Sequence, residues 1–310
     1  EWRLGDVRDP SAVYDAVTGC QWVVHLASLK QVDLSEIQPT EYVLTNVLGT
    51  KFLLDTCLQV GGVERVVVVS SDKAGGGAIN TYGATKLLVE KLAWEAAMMR
   101  RRPDGPEFTV VRSGNAFGTR GSVAPKWAEA RARGQALQVT DPAMTRFFFT
   151  LDEAVALVCY ALQKAPNGMT VGKRMAACTM GELARVMAGD PVAGGVPITV
   201  AGRRPGEKRH ETLFSADEMG RSERDGDVLV VDPLVRRDSV PAAEGYTSDA
   251  APQLTAGALR RLLHGWITGP VSQGEVSDAA RAMLREAWAI FDVMPDDMPD
   301  VCGHQPVNGN

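Results

Sequence analysis

The feature of this sequence that most constrains its fold is an alternation of short apolar runs with longer helical stretches. Three runs in the first half are continuous and rich in β-branched residues, at 22–27, 65–70 and 108–112. Such runs are typical of strands that are buried on both faces of a parallel sheet. Helical stretches lie before and between them, at 11–17, 39–60 and 82–101. The alternation predicts right-handed βαβ units and a doubly wound, parallel α/β sheet.

The second half of the chain loses this rhythm and predicts a smaller, mixed α/β lobe. Thr150 is followed by two acidic residues, as at a helix start, and 179–182 fit a capping box. Further along, two short strands (198–200 and 228–231) flank a basic loop (203–209), and a helix at 255–266 closes the lobe. We therefore divide the chain into a first domain over 1–120, to which 135–160 returns, a second lobe mainly over 121–270, and a C-terminal helix and tail over 271–310.

Composition excludes several classes of protein. The chain has 310 residues, 45% of them hydrophobic, which is enough for a sizeable globular core. No apolar run approaches the roughly 20 residues needed to span a bilayer, so we expect no membrane segment. A formal charge of −5 argues against a nucleic-acid partner. The five cysteines are scattered without metal-ligand spacing, so we expect no metal site and a reducing, cytoplasmic location.

Two ionisable side chains open the third helical stretch. Tyr82 and Lys86 are four residues apart and share one helical face. A phenol is a poor base at neutral pH, and a neighbouring ammonium stabilises the phenolate and lowers the pKa of the phenol. The pair is therefore a candidate proton acceptor, although a solvated helix face would show the same spacing.

A second pair follows the second strand. Residues 65–69 run directly into Ser70-Ser71-Asp72-Lys73, at the carboxyl end of a predicted parallel strand, where ligands bind in doubly wound sheets. An acid and an amine next to a Tyr/Lys pair would supply two proton-transfer couples in one cleft. An exposed turn is the other reading of Asp72 and Lys73.

Taken with their context, these motifs resemble a known family. The blocks 70–74 and 80–86 look like those of soluble, inverting UDP-N-acetylglucosamine 4,6-dehydratases, which are extended short-chain dehydrogenase/reductases of bacterial polysaccharide biosynthesis. The resemblance covers about residues 4–265 and includes further blocks at 25–30, 46–50, 111–115, 120–123, 144–147, 204–208 and 210–211.

The resemblance implies a Rossmann-type fold and a dehydration with inversion at C5. Tyr82, activated by Lys86, would take the proton of the C4 hydroxyl while NADP, or NAD, accepts the C4 hydride. Lys73 would remove the C5 proton, and Asp72 would protonate the departing C6 hydroxyl. Hydride would then return to C6. The resemblance also implies a UDP-sugar substrate and a homo-oligomer.

The same resemblance assigns binding roles. Residues 1–120 would be a partial dinucleotide-binding domain, and the second lobe would bind the nucleotide sugar. Tyr82 and Lys86 would contact the cofactor together with Asp6, Val7, Leu26, Ala27, Ser28, Lys30 and Asn46. The UDP-sugar would be held by Asn115, Arg146, Arg204 and Glu207, and arginine suits this task because its planar fork pairs with phosphate oxygens.

Two departures from the family pattern affect these expectations. The sequence starts at Glu1 in what resembles the end of a third strand, so the glycine-rich turn that binds the cofactor pyrophosphate is missing, with on the order of 60 residues. A longer product, a second chain or a true loss would each account for this, and we expect weak NADP binding without that turn. The second departure is Gly75-Gly76-Gly77, one residue longer than usual, which puts the placement of Asp72 and Lys73 in question.

Other functions remain open from the sequence. The chain could be a nucleotide-sugar 4-epimerase, although those enzymes usually carry small residues in place of Asp72 and Lys73. Retaining hexose dehydratases usually carry Asp-Glu there. A non-catalytic protein that binds a UDP-sugar and has lost its nicotinamide site would explain the missing glycine-rich turn. The intact Tyr82, Lys86, Asp72 and Lys73 favour an inverting dehydratase.

Overall fold

The structure is a computed structural model and describes residues 1–100, 105–190, 194–233, 244–269, 277, 278 and 280–282. Its strands are β1 (Trp22–His25), β2 (Arg65–Val69), β3 (Glu107–Val111), β4 (Asn115–Ala116), β5 (Leu137–Val139), β6 (Thr145–Phe149), β7 (Thr170–Lys173), β8 (Ala177–Thr179), β9 (Ile198–Val200), β10 (Thr212–Phe214), β11 (Ser222–Asp225), β12 (Val228–Val231) and β13 (Tyr246–Thr247). Its α-helices are α1 (Pro10–Val17), α2 (Val32–Ile37), α3 (Pro39–Tyr42), α4 (Gly49–Gln59), α5 (Thr81–Met98), α6 (Val123–Ala132), α7 (Leu151–Gln163), α8 (Met180–Ala188), α9 (Ala216–Gly220) and α10 (Ala256–Thr268).

The main sheet has six strands in the order β1-β2-β3-β7-β12-β11. The first four pair in parallel, and β12 and β11 add to them in antiparallel fashion. The apolar runs of the sequence supply the central strands, since Val66, Val67 and Val68 of β2 are at most 1% exposed. The predicted doubly wound α/β sheet is confirmed.

Both faces of this sheet are covered, which explains why its strands read as continuous apolar runs. Successive strand residues point to opposite faces. Val66 and Val68 pack in one cluster with Leu54 of α4 and Val89 of α5. Val67 packs on the other side with Leu157 and Ala161 of α7. Each such buried aliphatic side chain contributes roughly 1.5–3 kcal/mol to folding.

The single helix expected over 39–60 is wrong in detail. The chain forms α3, then a π-helical segment (Val43–Leu48), then α4. Asn46 lies within the π-helical segment and is only 1% exposed. The apolar periodicity that predicted one helix does not reveal this shift in backbone hydrogen bonding. Short π-helical segments often occur at functional sites, because they redirect side chains.

The second half of the chain builds a second core and also returns to the main sheet. Trp127 of α6, Leu183 of α8 and Leu263 of α10 belong to the second core. The strands of this region form the sets β4-β6-β8, β5-β9 and β10-β13. However, β7, β11 and β12 lie in the main sheet, so the second half crosses the expected domain boundary more often than 135–160 alone. The tail expected over 271–310 lies mostly outside the described residues. Within the described ranges, every helix is too short or too polar to cross a bilayer.

Three charged side chains form a largely buried cluster that joins the end of β3 to the helices α5 and α9. Arg112 directly follows β3 and is 1% exposed. Its guanidinium donates to Glu90 of α5 at 2.9 and 2.5 Å and to Glu218 of α9 at 3.0 Å. It also donates to the Leu213 carbonyl at 2.8 Å. The charges of both carboxylates outweigh the effect of burial, so the pKa of Arg112 is raised and the guanidinium stays charged.

We expect Arg112→Met to destabilise the protein by about 3–5 kcal/mol, because it leaves the buried carboxylate of Glu90 and the partly buried one of Glu218 without their cation. Urea unfolding followed by circular dichroism measures this change. Arg133→Met is the matched control, since Arg133 pairs with Glu129 at 3.2 Å on an exposed helix surface and such pairs contribute at most about 1 kcal/mol. Equal losses in the two variants would contradict the assigned importance of the buried cluster.

Candidate active site

The carboxyl ends of three parallel strands form the candidate site. The segments after β1, β2 and β3 line a cavity of about 600 Å³, with contributions from Lys30, Ser71, Lys73, Tyr82 and Asn115. A larger cavity of about 700 Å³ lies beside it and is lined by residues of β4, α6, β5 and β6. Both cavities are lined by Asn115, Ala116, Gly121, Ser122, Lys126, Arg204 and Glu207. The site is therefore a divided cleft with room for an extended ligand.

Asp72 and Lys73 form a buried pair at the edge of the smaller cavity. The Asp72 backbone N–H donates to the Ser113 carbonyl at 2.8 Å, which fixes the segment after β2 to the segment after β3. The Lys73 ammonium donates to Asp72 Oδ1 at 3.0 Å and to Asn115 Oδ1 at 3.4 Å. Asp72 is fully buried, and its Oδ2 has no hydrogen-bond partner in the described part of the chain. These contacts exclude the exposed turn considered from the sequence.

The charge of Lys73 is set by its neighbours. Burial on its own would lower the pKa of Lys73, but the carboxylates of Asp72 and Glu211 outweigh burial and raise it above the ordinary value for lysine. The guanidinium of Arg146 opposes them to a smaller extent. Lys73 is therefore an ammonium at neutral pH.

Tyr82 reaches the same cavity because its helix begins against the Asp72–Lys73 segment. Asn80 caps α5 by accepting a hydrogen bond from the Gly83 N–H at 2.7 Å. A side chain at Gly83 would overlap the Lys73 carbonyl oxygen, so this position must be glycine for the helix to approach. Ser35 of α2 accepts from the Tyr82 N–H at 3.2 Å. The helix start is thus fixed on two sides.

Lys86 was expected to lower the pKa of the Tyr82 phenol, and the structure gives this role to another lysine. Burial raises the pKa of Tyr82, and the cation that opposes this is Lys73, with help from the Ser71 hydroxyl. The Lys86 ammonium instead donates to the Val69 carbonyl at 2.8 Å. Burial lowers the pKa of Lys86 to about 8. A spacing of four residues puts both side chains on one face of the helix, but the carbonyl at the end of β2 binds the amine.

The residues expected to contact the cofactor fall into two groups. Lys30 and Tyr82 line the smaller cavity, and Leu26 and Ala27 are exposed in the segment after β1. The Asn46 side chain, in contrast, bonds the N–H and the carbonyl of Leu29 and the Thr85 hydroxyl, so it fixes this segment.

Three other members of that set have partners within the chain. Ser28 donates to the Leu29 carbonyl at 3.1 Å, and Asp6 forms an ion pair with Arg8. Val7 packs against Gly49 at the start of α4, where a Cβ atom would lie 2.9 Å from a Val7 methyl group. The structure therefore does not bring Asp6 and Val7 into either cavity.

The residues expected to hold the UDP-sugar lie around the larger cavity. Asn115, Arg204 and Glu207 line both cavities, and Arg146 lines the larger one. The Arg146 guanidinium donates to the carbonyls of Thr145, Lys208 and Arg209 at 2.7, 3.0 and 3.2 Å. Arg146 therefore also shapes the basic loop that covers the cleft.

Sequence reasoning did not assign several residues that shape this site. Lys126 of α6 lines both cavities, and Glu211 lies 3.7 Å from Lys73. Glu36 accepts a hydrogen bond from the N–H of Thr81 at 2.7 Å. Glu211 does stand in one of the blocks that resemble the family, whereas no local pattern distinguishes Lys126 or Glu36.

Known proteins with similar sequences show the family to which this chain belongs. Residues 1–233 match the sequence model described as "Polysaccharide biosynthesis protein". The chain belongs to this family. Curated relatives include proteins named UDP-glucose 4-epimerase from Rickettsia canadensis and Rickettsia bellii, each 35% identical over 275 residues, which are 85% of this chain and 79% of the relative. The chain is thus a nucleotide-sugar enzyme of the extended short-chain dehydrogenase/reductase type.

Solved structures of similar proteins support the same family assignment. Pen from Bacillus thuringiensis is 33% identical, with a TM-score of 0.79 over 86% of this chain and 81% of that protein. MoeE5, solved with UDP-glucuronic acid and NAD, is 27% identical, with a TM-score of 0.58 over 67% of this chain and 74% of that protein. The expected fold and family type are confirmed, whereas dehydration of an N-acetylhexosamine is a finer statement that these likenesses do not reach.

His25, the last residue of β1, makes the folding stability of the protein depend on pH. His25 is 5% exposed, and its Nε2 lies 2.8 Å from the Thr50 hydroxyl. Burial, together with the charge of Lys86, lowers the pKa of His25 to about 4. Between pH 4 and the ordinary value near 6.5, the unfolded chain binds a proton that the folded chain does not, so stability falls on acidification.

Acidification from pH 6.5 to pH 4 should cost the parent about 3 kcal/mol of stability through His25, on the order of 1.4 kcal/mol per unit of pKa shift. We expect His25→Gln to lack this loss. Glutamine can still hydrogen-bond to Thr50 but does not titrate. Urea unfolding at pH 4.5, 5.5, 6.5 and 8, to sample that window at about one-unit steps, measures the change. The difference between variant and parent at pH 8 is the internal reference, and a variant with the parent's full acid sensitivity would refute this account.

Proposed function

We propose that this protein removes water from a UDP-N-acetylhexosamine and inverts its C5 centre, in a nicotinamide-dependent 4,6-dehydration for surface-glycan biosynthesis. One observation carries the proposal: the buried Asp72–Lys73 pair, joined at 3.0 Å, adjoins the cavity that Tyr82 lines. Dehydration needs an acid for the leaving hydroxyl and a base for the neighbouring carbon, in addition to the group that acts at the C4 hydroxyl. Lys73 and Tyr82 line the cleft, and Asp72 is buried next to Lys73, so groups for all three tasks lie together.

The smaller cavity fits the nicotinamide end of a dinucleotide. Lys30 and Gln31 from the segment after β1 and Ser70 and Tyr82 from the next elements line one continuous space of about 600 Å³. NADP was expected from the sequence, and NAD is present in the related MoeE5 structure, so we propose one of these two. When bound, the nicotinamide would accept a hydride from C4 and later return it to C6.

Tyr82 acts first in the proposed reaction and takes the proton of the C4 hydroxyl. Its phenol needs help to ionise, because burial raises its pKa. The ammonium of Lys73 provides a positive charge that favours the phenolate. Lys86 is held on the Val69 carbonyl at 2.8 Å. The proposed activation of Tyr82 therefore comes from Lys73, with help from the Ser71 hydroxyl.

The Asp72–Lys73 pair performs the elimination and already holds the right number of protons. Before the elimination, Lys73 carries the proton and Asp72 is a carboxylate. Transfer of that proton along their 3.0 Å hydrogen bond gives a neutral amine and a carboxylic acid. The amine of Lys73 then takes the C5 proton, and Asp72 donates its proton to the departing C6 hydroxyl, which leaves as water. The pair returns to ammonium and carboxylate, so the elimination is balanced. The proton that C5 takes up when hydride returns to C6 is matched by the one that Tyr82 took from the C4 hydroxyl.

The nucleotide sugar would occupy the larger cavity and extend into the smaller one. Asn115 lies where the two cavities meet and contacts Lys73, so it is placed to contact the sugar. Arg204 and Glu207 line the same junction from the basic loop of the second lobe. Arg146 would add a cation on the diphosphate side. MoeE5 and the curated relatives, which are named for UDP-sugars, support this substrate class.

A 4-epimerase is the second candidate, because the curated relatives carry that name. Epimerisation gives a product of unchanged mass, whereas dehydration removes one water. We expect UDP-N-acetylglucosamine to lose one water and, in deuterated solvent, to gain deuterium at C5. Mass spectrometry and proton NMR of the product decide between them. A product of unchanged mass that is epimeric at C4 would establish the epimerase, and binding without turnover would favour a non-catalytic role.

We expect Tyr82→Phe and Lys73→Ala to block different steps. Tyr82→Phe should lower turnover by about 10²–10⁴-fold and leave the nicotinamide oxidised, because the C4 hydroxyl keeps its proton. Lys73→Ala should oxidise C4 more slowly, because it also removes the cation that favours the Tyr82 phenolate. It should nevertheless accumulate reduced nicotinamide, whose absorbance reports the step, and form no dehydrated product. Tyr14→Phe and Lys91→Ala, both exposed side chains, are the matched controls. Parental turnover in either active-site variant would refute the corresponding role.

A further inference from the structure

Glu211 is a second carboxylate, besides Asp72, that lies close to the Lys73 ammonium. It directly precedes β10 and is 2% exposed. Its Oε1 lies 3.7 Å from Lys73 Nζ and 3.6 Å from Arg146 Nε. Its Oε2 is buried and makes no hydrogen bond with any described residue. A buried carboxylate without a full set of hydrogen bonds is costly, which points to a function for this one.

The backbone around Glu211 is fixed. Its N–H donates to the Ser248 hydroxyl at 2.8 Å, and its carbonyl accepts from the Ser248 N–H at 2.8 Å. Glu211 therefore does not reach Lys73 as a mobile surface side chain.

The glycine triplet brings this carboxylate close to Lys73. A side chain at Gly75 would overlap the Thr212 carbonyl, and a Cβ atom at Gly76 would lie 2.6 Å from the Thr212 Cβ. Gly76 also has φ +60, a conformation that favours glycine. The start of β10 thus packs directly on the backbone that follows Lys73. Lys208 adds a hydrogen bond to the Gly75 carbonyl at 2.9 Å.

We propose that Glu211 is a positioning residue, which holds the Lys73 ammonium together with Asp72 and joins it to Arg146 in the second lobe. The proposal rests on the proposed function, because it assigns the control of Lys73 in that reaction. Glu211 keeps the amine charged and directed along the cleft until the substrate arrives. Glu211 also contacts Arg146, the residue expected to bind the diphosphate. The position of the Lys73 ammonium is therefore linked to the part of the cleft that binds the substrate.

The charged and titratable groups around Lys73 come from several elements. Asp72 lies on its own segment and Tyr82 on α5, while Arg146 on β6 and Lys208 on the basic loop are the nearby cations. Glu211 is one of two carboxylates that offset the burial of the ammonium. Glu211→Gln keeps the size of the side chain and removes its charge. The pKa of Lys73 must then fall, while Asp72 and its hydrogen bond remain.

The first test measures Lys73 without relying on turnover. The enzyme is treated with acetic anhydride across a pH series, and mass spectrometry of the peptide that contains Lys73 gives the pH at which the amine reacts. We expect this pH to be lower by at least about one unit in Glu211→Gln, a tenfold change in the proton equilibrium, with Glu211→Asp in between. Glu153→Gln is the matched control, since Glu153 pairs with Lys173 at 2.5 Å away from the cleft.

The second test measures catalysis. We expect Glu211→Gln to lower kcat at least about tenfold, to change KM for the UDP-sugar little, and to shift the alkaline limb of the kcat profile to lower pH. An unchanged reactivity of Lys73 would overturn the proposal, as would an effect confined to KM. If Lys73 reactivity shifts but the parent enzyme forms no dehydrated product, the proposed function fails while the pairing of Glu211 with Lys73 stands. Glu211→Asp keeps both tests decisive if Glu211→Gln does not fold.

Discussion

The arrangement of the cleft depends on the buried guanidinium of Arg112. This one side chain holds Glu90 of α5, Glu218 of α9 and the Leu213 carbonyl of β10. Ser70, at the end of β2, donates to the same Glu90 carboxylate at 2.5 Å. The ends of β2 and β3, the helix that carries Tyr82, and β10 and α9 of the second half are therefore fixed to a common point. Burying these charges is costly, and moving one of them away would leave the others buried without a partner, so the elements that carry them stay together.

The helix α5 transmits that arrangement to the cavity. Tyr82, Lys86 and Glu90 are spaced by four residues and share one face of the helix. Glu90 bonds Arg112, Lys86 bonds the Val69 carbonyl at the end of β2, and Tyr82 reaches the cavity. A rotation or shift of α5 would break the first two contacts. The position of the phenol is therefore determined one and two turns away from it, by the contacts of Lys86 and Glu90.

The sequence allowed the sheet to be predicted, because β-branched runs and their spacing depend on local chemistry. It also located Asp72, Lys73 and Tyr82 at one edge of that sheet. Three features could not be predicted in this way. The π-helical segment at Val43–Leu48 leaves the apolar pattern unchanged. The partner of Lys86 is a backbone carbonyl, which every residue carries. Glu211 reaches Lys73 through the folding of a distant strand, so no local spacing reveals the pair.

The glycine triplet Gly75-Gly76-Gly77 makes the segment between Lys73 and Tyr82 one residue longer than the family resemblance leads one to expect. From the sequence, this length put the placement of Asp72 and Lys73 relative to Tyr82 in question. Each end of the segment is nevertheless fixed, because the Asp72 N–H bonds the Ser113 carbonyl and the Lys73 carbonyl packs against Gly83. The added length is taken up between these points, where Gly75 and Gly76 meet Thr212. The loop therefore forms part of the contact between the main sheet and the second lobe, and the Asp72–Lys73 pair lies close to Tyr82.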